Sequence, residues 1–347
     1  MITSFILIFS LIFILLFIQV YRTHGETKIN LNKKYQVIDG FGASSAWQGN
    51  VSDKIMDNLF NKTGLSILRV RIDQNKLWNE ELSNAKKALK YNAIVFASPW
   101  QPEKGLVNMN LTKHGTIPPN KYDDYADYLQ SYVDYMKENG APLYAISIQN
   151  EPDCESTDWT PQQMVNFLKT SAKRIKGVKV MAPESTGFSP QMIKNWAEAI
   201  NMGKHVWMTE YYTKGNDWKS VIELAKSIHN CIHIAYFNAY LFWWFFEKTS
   251  NMMITDSNGE LTSKGYVMAQ YSKFIKPGYF HIIIVAINMA ITTKQQFSIN
   301  GSIIPSSLTP YITSQGKNLE KQIKVNLSDG IFSYSLPEQS IVTFVSE

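Results

Sequence analysis

The chain has 347 residues, 45% of them hydrophobic and 18% charged, with a net charge of +5. That length suits one large domain, or a large one with a small one. Lys169, Lys173, Arg174, Lys176 and Lys179 are spread along a helical pattern and form no dense basic run, which argues against a nucleic-acid partner.

The first element is an apolar run, Ile2 to Val20, followed by "YRTHGE". A short apolar core with small residues after it reads as a secretory leader ending near Gly25, although no Lys or Arg precedes it. The run is also nearly long enough to anchor in a bilayer uncleaved. Five N-x-S/T sequons, at Asn50, Asn61, Asn110, Asn300 and Asn326, agree with export. Cys154 and Cys231 are too few for a disulfide framework or a zinc site; they can form one bridge or remain two thiols. No cofactor or metal is expected.

From Gln36 to Tyr271 short apolar strands alternate with helical patterns. The strand candidates are "VIDGFGAS", "LSILRVRI", "NAIVFASPW", "LYAISIQNEP", "VKVMAPES", "HVWMTEYY" and "AYLFWWFF". Between them, "YDDYADYLQSYVDYMKENG" repeats Tyr125, Tyr128, Leu129, Tyr132, Val133 and Met136 at helical spacing and stops at Gly140. "TPQQMVNFLKTSAKRIKG" predicts a helix from its Thr160 cap and Pro161 to Gly177. Such alternation places a parallel sheet inside a layer of helices, and the even spacing suggests an α/β (β/α)8 TIM barrel. Only seven strands are found where the closed barrel needs eight. No Gly-rich phosphate loop follows the first strand, so a nucleotide fold is not indicated. After Tyr271, "HIIIVAIN", "QQFSIN", "LTPYITS", "KQIKVNLS", "GIFSYSL" and "SIVTFVSE" follow one another without helices, as in a small antiparallel β-domain. The predicted division is a leader over 1–25, a barrel over 36–271, and a β-domain of 26–35 with 272–347.

Catalytic residues of a β/α barrel lie at the C-terminal ends of its strands. Here those ends carry Trp100, Asn150 and Glu151, Glu210, and the pair Trp243 and Trp244. Two carboxylates on two strand ends can serve glycoside hydrolysis, in which one carboxyl donates a proton to the leaving oxygen and the other attacks. Tryptophan rings suit the apolar faces of sugars. Structural readings compete: Glu151 as a helix cap, Glu210 as the ion partner of Arg69 or Arg71, and the aromatics as core. Alternation puts Trp243 and Trp244 on opposite faces of their strand. Cys154 has no evident His–Asn partners for a nucleophile's role.

"YQVIDGFGASSAW", "LSILRVRID", "ASPW", "SIQNEPD", "VMAPES", "WMTEYY" and "SKGYVMAQYSKFIKPGY", in that order, resemble family-30 glycoside hydrolases, most of all the glucuronoxylanase-type xylanases. The likeness spans about Gln36 to Gly278, and the C-terminal strands resemble that family's side β-sandwich. It implies a secreted, monomeric enzyme that cleaves β-1,4-xylan, a plant cell-wall polysaccharide, with retention. Glu151 would be the acid/base and Glu210 the nucleophile. Asn150 would contact the sugar, Arg69 would keep Glu210 ionised, and Trp100 and Trp243 would stack on sugar rings, with Trp47 and Tyr212 as further contacts. A glucosylceramidase or β-glucanase of the same family is the alternative.

Three departures stand out. Glu247 occupies the place where the glucuronoxylanases carry an Arg that grips glucuronate. A carboxylate there repels that substituent, and Lys248 offers only a point charge. The sixth barrel strand has no counterpart between the strand "VKVMAPES" and Glu210. About a hairpin is missing between Gly278 and His281. These losses raise the further alternative of an inactive family member.

Overall fold

The computed structural model describes residues 25–107, 116–154, 159–186, 197–248, 252–276 and 281–346, and the backbone of 13–20. In chain order its strands are β1 (Phe13–Val20), β2 (Thr27–Asn30), β3 (Gly40–Ser44), β4 (Ile67–Ile72), β5 (Ile94–Pro99), β6 (Ala145–Ser147), β7 (Lys179–Met181), β8 (Trp207–Met208), β9 (Ala239–Trp244), β10 (His281–Asn288), β11 (Thr293–Asn300), β12 (Ser307–Ser314), β13 (Lys317–Lys321), β14 (Val325–Asn326), β15 (Ile331–Leu336) and β16 (Ser340–Ser346). The longer helices are α1 (Asn79–Leu89), α2 (Tyr122–Glu138), α3 (Pro161–Thr170), α4 (Trp218–His229) and α5 (Ser263–Ser272). Together they make an α/β, barrel-like fold with added antiparallel strands. Two compact units are distinguished: one of 1–42, 57–66 and 194–347, the other of 43–56 and 67–193.

In the unit of 43–56 and 67–193, β4, β5, β6 and β7 pair in parallel in that order. β4 and β5 are buried along almost their whole length, as strands covered on both faces must be. β7 ends this sheet and leaves Val180 36% exposed. Helix α2 forms where predicted: its six periodic residues are buried, Asp123 and Asp124 open its first turn, and Gly140 takes φ +77° beyond its end. The tyrosines of its buried face also have hydrogen bonds to make. Tyr125 donates to Ile148 O at 2.7 Å and Tyr128 to Asp73 O at 2.8 Å. α3 opens on the predicted cap, with Thr160 and Gln163 closing a capping box. It ends at Thr170, short of the expected Gly177. Thr170 Oγ1 bonds back to Asn166 O, Ser171 Oγ turns to Asp123, and a single tighter turn follows over Ala172–Arg174.

In the other unit, Gly40–Gly42 of β3 lies beside β9, and β9 pairs in parallel with β8. β10, β16, β12 and β13 form an antiparallel sheet with β14 beside β12, and in a second sheet β11 pairs antiparallel with β15 and parallel with β2. Both sheets contribute to one apolar core, with Ile29 from β2, Ile284 from β10, Phe297 from β11, Phe332 from β15 and Phe344 from β16. β2 thus joins the C-terminal strands through parallel pairing of Thr27–Asn30 with Phe297–Asn300. The proposed leader falls mostly outside the described residues; within it, β1 runs parallel to β10. No helix among the described residues is long and apolar enough to cross a membrane. Both cysteines are free thiols. Four sequon asparagines (Asn50, Asn61, Asn300 and Asn326) are exposed, and Asn110 lies outside the described residues.

Among the buried charges, Glu81 on α1 is 4% exposed and accepts a hydrogen bond from Ser45 Oγ at 2.5 Å. Burial pushes its carboxyl up to about 7, against the pull of Ser45 and Arg71. The folded protein therefore binds a proton that the unfolded chain releases at lower pH. Glu81 stabilises fully below the ordinary carboxyl range, and that contribution falls as pH rises toward 7. Glu81→Gln mimics the neutral acid. In urea unfolding it should match the wild type at pH 4 and exceed it at pH 8, by a margin on the order of 3 kcal/mol at most.

Candidate active site

The chemistry of the unit of 43–56 and 67–193 gathers around Arg69. This guanidinium, on β4, is fully buried. It donates through Nε to Ser98 Oγ on β5 at 3.3 Å and through Nη2 to Asn150 Oδ1, just past β6, at 2.5 Å. The same Nη2 lies 3.1 Å from Glu184 Oε1, just past β7. The Trp100 ring, just past β5, sits 4.4 Å from the guanidinium carbon. One cation therefore ties together the C-terminal ends of four consecutive parallel strands.

This arrangement fixes Asn150. With Oδ1 committed to Arg69, the amide nitrogen must point away from the guanidinium. Asn150 Nδ2 is buried and has no hydrogen-bond partner among the described residues, and among them neither Glu184 carboxylate oxygen makes a hydrogen bond. A buried donor and acceptors left over in one cluster are costly unless something else uses them. Gln149 holds the turn from behind, donating to Pro99 O, Trp100 O and Asn150 O at 3.3, 3.1 and 2.7 Å.

Glu151 comes next. It is half-buried, and its backbone is left-handed at φ +41°, with its N–H bonded to Glu184 O at 2.9 Å. A glutamate rarely adopts this conformation, and such strain persists where surrounding contacts over-determine it. No helix starts on Glu151, so the capping alternative does not apply: the next helix, α3, is capped by Thr160. Trp47 is also left-handed, at φ +61°, and 48% exposed; its ring meets Trp100 edge-on at 5.0 Å, with Arg71 over its face.

The other predicted residues belong to the unit of 1–42, 57–66 and 194–347. Glu210 follows β8 after one residue. The segment carrying it continues beside β9, since Trp243 N donates to Tyr211 O at 2.8 Å. Tyr212 is 46% exposed. Trp243 and Trp244 do not diverge as alternation predicts. Their rings stack at 5.1 Å with 20° between planes. Both are the last residues of β9, and their long side chains bring the two rings together although the strand continues through them.

The cluster thus joins Arg69, Trp100 and Asn150 with Glu151 and Trp47 alongside, while Glu210, Tyr212 and Trp243 are placed by β8 and β9. Sequence reasoning paired Arg69 with Glu210; the ion partner found within its own unit is Glu184, which it missed. The signal was present, because "VKVMAPES" also ends a strand on a carboxylate. Gln149 was missed because an amide bonded only to backbone leaves no pattern. Among the described residues no cluster of three or more His, Cys, Asp or Glu side chains could hold a metal ion.

No protein-family model matches the chain. The glucuronoxylanase XynC of Bacillus subtilis is 34% identical over 395 aligned positions, covering 92% of this chain and 91% of the relative. The aligned part of this chain is about 319 of its 347 residues, so about 76 of those positions lack a residue from it. The family 30 subfamily 8 xylanase Xyn30A from Clostridium acetobutylicum superposes with a TM-score of 0.84 at 37% identity, covering 92% of this chain and 99% of that one. A GH30 endoxylanase from Clostridium papyrosolvens gives 0.85 at 34%, covering 93% and 100%.

Removing one partner of a buried ion pair strands the other. Arg69→Met should lower stability by about 3–5 kcal/mol in urea unfolding. Adding Glu184→Leu should recover part of that loss, and strict additivity of the two changes would refute the coupling.

Proposed function

The chain belongs to glycoside hydrolase family 30, and from this premise we propose that it is a secreted retaining xylanase, cleaving β-1,4-xylan with Glu151 and Glu210. The observation that carries the reading is the Arg69 cluster, which holds Asn150 and a strained Glu151 at the C-terminal end of β6. Such ends are where barrel enzymes do their chemistry.

In this reading the Glu210 carboxylate attacks the anomeric carbon while Glu151 donates its proton to the departing glycosidic oxygen. A glycosyl ester on Glu210 results. Glu151, now a carboxylate, takes a proton from water as that water attacks the same carbon and releases Glu210. Asn150 Nδ2, forced outward by Arg69, donates to a ring hydroxyl. Trp100 and Trp243 stack on sugar faces, with Trp47 and Tyr212 as outer contacts. The two sheets with their shared core correspond to the side β-sandwich. The leader and the exposed sequons support export.

Glu247 bears on specificity. It is partly buried and followed by the exposed Lys248. An acidic group here does not recruit glucuronate, so the reading is a xylanase that does not depend on that substituent.

A second reading, a non-catalytic family member, is favoured by the unfilled alignment positions and by the two-residue length of β8 beside Glu210. Sugar release decides between them. The wild type should hydrolyse arabinoxylan and glucuronoxylan at comparable rates. Glu151→Gln and Glu210→Gln should each lower kcat by at least about 10²-fold. Folded wild-type protein without activity on xylan, β-glucan or glucosylceramide establishes the second reading. A strong preference for glucuronoxylan removes the role given to Glu247.

A further inference from the structure

Lys264 is the second residue of α5, and it is buried to 2%. Both facts run against expectation. A cation in a first helical turn opposes the helix dipole, and lysine is almost never fully buried without a partner. No carboxylate lies within ion-pair distance of it among the described residues. Its ammonium instead donates to three main-chain carbonyls, Thr213 O at 2.6 Å, Gly215 O at 2.7 Å and Met252 O at 2.9 Å. That uses all three N–H bonds of the ammonium.

The carbonyls come from two places. Thr213 and Gly215 lie three and five residues beyond Glu210. Met252 lies in the segment that returns from β9, beyond Trp243 and Trp244. This second segment is itself anchored: Thr255 N bonds to Phe245 O at 2.8 Å, and Thr262 Oγ1 donates to Met253 O at 2.6 Å while capping α5. Gly265 allows the close approach. A Cβ there would stand 2.4 Å from Ile254 O, so only glycine lets the first turn of α5 lie against this segment.

We propose that Lys264 is a positioning residue for Glu210, tying the segment after Glu210 to the segment after the Trp243–Trp244 pair. The inference rests on the reading of Glu210 as nucleophile. β8 has two residues, and past it the segment is bonded to β9 at Tyr211; Lys264 extends that hold to Thr213 and Gly215. Backbone carbonyls as its targets mean that it holds the path of the main chain. No side chain of the segment needs to be conserved in type for the tether to work.

The test compares full-length wild type with Lys264→Met, which keeps the apolar stem, and Lys264→Arg, which keeps the charge but not the compact three-donor head. Each is checked for folding by thermal melting. Each is then incubated with a 2-deoxy-2-fluoro-xylobiosyl fluoride, and the covalent adduct on Glu210 is followed by mass spectrometry. A displacement of the nucleophile by a fraction of an ångström slows attack without abolishing binding. Folded Lys264→Met should label at least about tenfold more slowly, with kcat on xylan falling in parallel and KM within about twofold; Lys264→Arg should recover part of the rate. A lowered melting temperature with an unchanged labelling rate assigns Lys264 a structural role only and overturns the proposal. Failure of both variants to fold counts against it in the same way. Absence of any adduct on wild-type Glu210 overturns the nucleophile assignment first, and the proposal with it.

Discussion

The geometry of the candidate site depends on one buried cation. An arginine with no exposure must have its charge answered inside the protein, because the desolvation of a guanidinium is far larger than any single contact can offset. Arg69 meets that demand by drawing Ser98, Asn150 and Glu184 toward it from three neighbouring strands. Each partner is constrained in turn. Asn150 can present only its amide nitrogen outward. The backbone of Glu184, bonded to Glu151 N–H, fixes the left-handed turn at Glu151. Trp100 lies against the guanidinium and meets Trp47 edge-on. A polar network of this kind is a poor source of net stability. What it supplies is specification: the strand ends have one arrangement in which the charge is satisfied.

Much of this was legible in the chain. The strand–helix alternation placed the parallel strands, and the tyrosine period placed α2 together with its buried face. Strand ends singled out Trp100, Asn150, Glu151 and Glu210. What the sequence did not reveal has physical causes. Periodicity reports which face is buried but not where a helix stops, and α3 stops early because Thr170 and Ser171 satisfy local backbone and side-chain partners instead. Alternation reports the direction of each Cα–Cβ bond but not where a long side chain's ring comes to rest, so the stacking of Trp243 on Trp244 was hidden. The partners of Arg69 were ambiguous because a buried cation needs a carboxylate, and the chain offers several at strand ends. The register of β4 through β7 is what brings Glu184 to it.

Lys264 answers the same kind of problem with a different chemistry. Arg69 organises side chains, through a planar fork that matches an amide and a carboxylate. Lys264 organises main chain, through a compact head that three carbonyls can surround. The choice follows from what each has to hold. Around Arg69, strands of three to six residues already fix the backbone, and the side chains need orienting. Around Lys264 the strand before Glu210 has two residues, and past Tyr211, which is bonded to β9, Lys264 holds the main chain at Thr213 and Gly215.

The two bracing systems bear on what loss of a sixth barrel strand would do. The segment in question lies between Glu184 and Glu210 in the chain. Nothing that satisfies Arg69 or Lys264 in the contacts described above comes from it. Glu151 is held by β6, β7 and the Arg69 network, and Glu210 by β9, α5 and the Lys264 carbonyl cage. A strand removed between them takes away sheet hydrogen bonds and leaves β7 and β8 as ends of their sheets. The Arg69 contacts and the Lys264 contacts named above do not depend on it. The cost of the shortening therefore falls first on sheet closure, where edges are exposed, while the Arg69 and Lys264 contacts named above remain in place.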